Sequence, residues 1–74
     1  MNRERRKRLG EAFDKVVAAM EILEDVKNEE EGCYENLPDN FRDGDRGEEM
    51  QGYIEMLEEA YGYLDDAISV IEQI

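Results

Sequence analysis

A chain of 74 residues makes at most one small domain, and a domain this size buries only about 60% of the surface its unfolded chain exposes. With Cys33 as the lone cysteine and no histidine, disulfide staples and the usual metal and neutral-pH proton chemistry are removed, which leaves association as the remaining support for so short a chain. A net charge of -12 sets the body of the protein against nucleic acid and anionic membranes as partners.

A single cysteine without a disulfide framework fits a reducing compartment. No apolar run approaches the ~20 residues of a membrane span. The segment LGEAFDK after the basic start lacks the apolar core of a signal peptide. The expectation is a soluble cytoplasmic protein.

The charge is uneven. Residues 1–8 hold Arg3, Arg5, Arg6, Lys7 and Arg8 against Glu4, a net +4. Everything after carries a net -16, and no basic residue follows Arg46. Behind the basic start, Leu9, Phe13, Val16, Met20 and Leu23 recur at alternating spacings of three and four, flanked by Ala12, Val17, Ala19 and Val26. That period predicts an amphipathic helix. Its seam then meets Lys27 and Glu30 before resuming at Tyr34 and Leu37, and polar seam residues weaken packing while fixing register. The helix is expected over about 3–36, since Pro38 disfavours helical backbone at the residue before it. Gly32 leaves open an earlier end.

Between the helical patterns lies LPDNFRDGD, rich in turn formers. It is expected as a loop over about 37–45, with Phe41 tucked under the end of the helices. A second helix is expected over about 46–74. Asp45 followed by Glu48 resembles a capping box, and acids in the first turn suit the helix dipole. Met50, Tyr53, Leu57, Ala60, Leu64, Ala67, Ile71 and Ile74 form a heptad seam. Ile54, Tyr61 and Ile68 flank it on one side, Met56, Tyr63 and Val70 on the other. Gly52 and Gly62 fall among the polar positions, at a cost of up to ~1 kcal/mol each relative to alanine.

Two helices of this length joined by a short loop are expected to pack as an antiparallel hairpin, an all-α domain spanning residues 1–74. The basic start then lies beside Asp65, Asp66 and Glu72, where it offsets charge that its own helix dipole disfavours. Burying the flanking side chains Ile54, Met56, Tyr61, Tyr63, Ile68 and Val70 is worth roughly 1.5–3 kcal/mol apiece. One neighbouring helix cannot cover them all. These six are therefore the expected dimer interface of a homodimeric four-helix bundle; the rival is a monomer laying the same face on another protein.

Catalysis has little to draw on. Cys33 has no base to activate it, and carboxylates alone need a pocket that two helices scarcely form. No cofactor and no small-molecule substrate are expected. Asp39, Asp43 and Asp45 offer hard oxygen ligands, but a calcium loop wants oxygens at its third and twelfth positions, where Phe41 and Met50 stand. The RERRKR stretch ahead of heptads has the layout of a DNA-binding zipper, yet the acidic body repels phosphate, so nucleic acid is not an expected partner. On the second helix Glu55, Glu58, Glu59, Asp65, Asp66 and Glu72 project outward with no Lys or Arg among them. Solubility accounts for such a face; so does docking on a basic protein surface, in imitation of spaced phosphates.

The segments YENLPDNF (34–41), DRGEEM (45–50) and YLDDAISVIEQI (63–74) resemble a group of small acidic proteins, largely uncharacterised, from phages and prophages of Gram-positive bacteria. Those combine a basic start, an N-[LM]-P-x-N turn and a closing helix of acidic-apolar units. The resemblance implies a helical hairpin and a viral setting, with the host cytoplasm as location. In that setting, size and charge invite comparison with inhibitors of host defence nucleases such as anti-CRISPR proteins. The leading expectation is a non-enzymatic, homodimeric, protein-binding accessory factor. The alternative is an acidic nucleic-acid mimic that inhibits a host nucleic-acid-binding protein.

Overall fold

A computed structural model describes all residues from Met1 to Ile74 and is all-helical, 86% helix without a strand. Helix α1 spans Arg3–Glu35, a single turn α2 spans Asp39–Arg42, and α3 spans Asp45–Ile71. The molecule is a rod of 59 × 15 × 12 Å.

Each boundary has a local cause. Asn2 stands in extended conformation before α1, and its side-chain oxygen accepts the Arg5 N–H at 2.8 Å, which satisfies one of the free donors of the first turn. Gly32 does not end the helix; α1 runs through it to Glu35. At the far end the Asn36 and Leu37 N–H groups bond back to the carbonyls of Gly32 and Tyr34 before Pro38 stops the ladder.

The expected loop contains α2. Pro38 has the φ of -56° that its ring imposes, and its carbonyl receives the N–H groups of Phe41 and Arg42. One helical turn follows. Phe41 is not tucked beneath the helices: it is half exposed, because Arg42 occupies the inner side of this turn, its backbone pressed against Gly47. The capping box expected from Asp45 and Glu48 does not form either. Gly44 is the cap of α3, Asp45 is already helical, and no side chain closes the end. The Gly44 carbonyl takes the Glu48 N–H at 3.1 Å instead.

Helices α1 and α3 are in contact, early residues of one meeting late residues of the other. An Arg6 guanidinium N–H reaches the Ile74 carbonyl at 3.2 Å, Lys27 donates to Glu58 at 3.4 Å, and Gln51 donates to the Tyr34 hydroxyl at 3.0 Å. On α1 the side facing α3 follows the expected seam, from Leu9 through Met20 to Tyr34. On α3 it does not. Gly47, Met50, Ile54, Leu57, Tyr61, Leu64, Ile68 and Ile71 make up the covered heptad stripe. Tyr53, named in the seam, is half exposed, and Ile74 lies beyond the helix and is exposed. Met50, Leu57, Leu64 and Ile71 belong to two overlapping heptads, and the neighbouring helix chose the one that buries Ile54 and Ile68 rather than Tyr53.

The interior is thin. Met20 and Ile68 are the only buried apolar side chains, and neither is fully enclosed.

Candidate functional site

The site is built from the two outward sides of the α1–α3 pair. Because heptads repeat every seven residues, the stripe next to the covered one on α3 is Tyr53, Met56, Ala60, Tyr63, Ala67 and Val70. Met56, Tyr63 and Val70 are the barest, exposed by 61–66%. Helix α1 carries a matching stripe of Ala12, Ala19, Ile22, Val26 and Cys33, with Ile22 and Val26 exposed and Cys33 a free thiol on the surface.

The two stripes share one side of the rod, and the opposite side is acidic. There Glu24, Lys27 and Glu58 line a shallow groove with Leu23, Leu57 and Tyr61, and Glu31, Gln51, Glu55 and Glu58 line another with Tyr34. Those grooves bring the acidic flanks of both helices together. In an antiparallel pair the remaining flanks meet as well, so the apolar stripes run side by side with Val26 near the level of Ala60 and Ile22 near that of Tyr63.

The six side chains expected at a dimer interface divide. Ile54, Tyr61 and Ile68 pack in the seam against α1, Ile68 being among the most buried residues of the chain. Met56, Tyr63 and Val70 remain free on the apolar side. Ile22 was not among the expected residues. Its heptad neighbours Lys15 and Glu29 are charged, so no repeating apolar signal marks it; its surface role depends on which side of α1 meets α3.

All of Glu55, Glu58, Glu59, Asp65, Asp66 and Glu72 are exposed. Glu58 alone among them is ion-paired, with Lys27, which also approaches Glu31 at 3.9 Å. Glu59 accepts the Tyr63 hydroxyl at 3.0 Å, as Glu49 accepts that of Tyr53 at 2.8 Å. The Glu49 hydrogen bond and negative charge raise the Tyr53 hydroxyl above its ordinary pKa of 10.0, since ionising it places a second anion beside the carboxylate.

At the basic end, the expected neutralisation by Asp65, Asp66 and Glu72 takes a different form. Arg6 bonds the terminal carbonyl, Arg8 approaches Glu4 at 4.0 Å, and no side-chain ion pair links this end to those three acids. Arg3, Arg5 and Lys7 form no ion pair at all. Asp39, Asp43 and Asp45 do not converge with other ligating groups into a metal-holding cluster; Asp39 pairs with Arg42 at 2.6 Å. No helix is long and apolar enough to cross a membrane. No family model, curated protein or solved structure matches this chain.

Proposed function

We propose that this protein is a non-enzymatic, protein-binding accessory factor whose helical hairpin functions as a homodimer, two hairpins forming a four-helix bundle. One observation carries the reading: a second heptad stripe of large apolar side chains, Met56, Tyr63 and Val70, stands bare beside the covered seam. A folded monomer of 8.7 kDa exposes about 4,700 Å², whereas this chain exposes 5802 Å². The excess is on the scale of the ~800 Å² that each partner buries in a standard interface. An elongated rod accounts for part of it, but elongation does not place apolar side chains at heptad spacing along one side. A charged or polar stripe would serve a solitary rod better.

Light scattering at micromolar concentration should return twice the 8.7 kDa chain mass, and Tyr63→Glu together with Met56→Glu should return a folded species of one chain mass. A wild-type protein of one chain mass across that range ends the dimer reading.

The acidic side supports a second role that the first does not preclude: an anionic surface that docks on a basic protein, as a mimic of nucleic acid would. Glu55, Glu59, Asp65, Asp66 and Glu72 are exposed and free of ion pairs, and Lys at i+4, which would stabilise an ordinary surface helix by ~0.2–0.5 kcal/mol per pair, is missing throughout α3. Charge reversal at Glu59, Asp65 and Asp66 should abolish capture by a basic target such as a nucleic-acid-binding protein of the host. Capture that survives reversal assigns this face to solubility alone.

A further inference from the structure

The apolar side of the rod and the uneven charge along its length together specify how a second copy would lie on it, an inference that rests on the homodimer reading above. We propose that two copies pack side by side in opposite directions about a two-fold axis near Ile22 and Tyr63, so that the basic arm of each covers the acidic turn end of its partner.

The axis follows from the stripes. On α1 the exposed apolar positions extend from Ala12 to Cys33, and on α3 from Tyr53 to Val70, with Ile74 continuing them past the helix end. The middle of each falls at Ile22 and Tyr63, which the contacts between α1 and α3 bring to about the same level. A closed two-copy interface is self-complementary, so the centre of the patch meets itself. Either orientation satisfies that requirement: opposite directions, with the axis across the rod, or the same direction, with the axis along it.

Charge separates the two. Residues 29–49, which make up the turn end, hold Glu29, Glu30, Glu31, Glu35, Asp39, Asp43, Asp45, Glu48 and Glu49 against Arg42 and Arg46, a net -7. The other end carries the +4 arm. Packing in the same direction would set -7 beside -7, the like-charge juxtaposition that interfaces avoid. Opposite packing sets each arm over the partner's turn. Within one chain Arg3, Arg5 and Lys7 have no carboxylate partner, and Arg3, Arg5 and Arg6 sit in the first turn of α1, where the helix dipole disfavours a cation. A partner's acids supply what the chain itself does not.

Cys33 reports the orientation. It lies eleven residues from Ile22, so at ~1.5 Å per residue a nitroxide there should stand roughly 35 Å from its counterpart in the opposite-direction dimer. Pulsed electron–electron resonance on the labelled full chain measures that distance. In a second arm of the experiment, Arg3→Glu, Arg5→Glu and Lys7→Glu together should weaken dimerisation at least about tenfold, and Glu35→Lys with Asp43→Lys on the same chain should restore it. These arm substitutions place acids at a helix N-terminus, so a loss of dimer is not a loss of helix. A label separation under ~20 Å, with ready disulfide formation between two Cys33 thiols, overturns the orientation while leaving the dimer standing. Dimerisation unmoved by the arm substitutions also overturns it. A wild-type chain that stays at one chain mass overturns the dimer reading itself.

Discussion

Gly47 is the residue with least latitude. A Cβ there would overlap the Arg42 carbonyl and backbone, which no side-chain rotation can relieve. Gly52 and Gly62 have nothing near the place a Cβ would occupy. The same substitution should therefore have opposite signs. Gly62→Ala should stabilise by about 0.5–1 kcal/mol through helix propensity, and Gly47→Ala should destabilise by about 2 kcal/mol as the junction between α2 and α3 shifts. Urea denaturation followed by circular dichroism distinguishes them; equal effects would mean the Gly47 contact yields freely. Tyr53 offers a second check at this scale. Its hydroxyl pKa is raised, so the hydrogen bond to Glu49 contributes fully below the unfolded tyrosine value near 10 and is lost as pH climbs through the higher folded value. Ultraviolet titration of Glu49→Gln should show one tyrosine ionising at lower pH than in the parent. An unchanged curve would detach Tyr53 from Glu49.

At the scale of the element, α1 and α3 are built differently. Helix α3 carries apolar residues on two adjacent stripes and acids on the rest, so it can face α1 and a further helix at once. Helix α1 has one seam, interrupted where Lys27 and Glu30 face α3, and beside it only a sparser apolar stripe, broken by Lys15 and Glu29. Lys27 is not a stranded charge. It is largely covered, with 27% of its side chain exposed, and reaches Glu58 and Glu31, both of which keep contact with water. Removing it strands no buried carboxylate, and apolar replacements of such pairs are often neutral or stabilising. Lys27→Met should raise stability by up to about 1 kcal/mol in urea denaturation while loosening the register that the lysine helps to fix. A loss above that size would mark the pair as a principal support of the fold.

For the whole molecule the decisive quantity is how little is buried. Two long helices enclose Met20 and Ile68 and little else, while small domains without disulfides or metals need additional burial to remain folded. If a second copy supplies it, association adds to the stability of a rod that folds by itself, and thermal stability depends on concentration. The melting temperature followed at 222 nm should rise by roughly 5 °C for each tenfold increase in protein concentration. A midpoint independent of concentration would require the rod to stand alone on the packing between α1 and α3.

The helical character of this chain was legible in its residues because apolar spacing, Pro38 and the absence of strand-like alternation all act locally. The α1 seam was legible for the same reason: its apolar residues admit one heptad frame. The α3 seam was legible only in part. Met50, Leu57, Leu64 and Ile71 fit two frames equally, and only the neighbouring helix, by covering Ile54, Tyr61 and Ile68, decided which stripe became interior and which was left on the surface. The capping role of Gly44 and the outward turn of Phe41 were likewise settled by how the chain enters α3 against Arg42, a contact between segments that no local pattern encodes. The acidic residues needed no such decision. Charge keeps its carriers in water in either frame, so Glu55, Glu58, Glu59, Asp65, Asp66 and Glu72 stand exposed, where their type alone assigns them, while the apolar side of the rod exists only because the two long helices lie together.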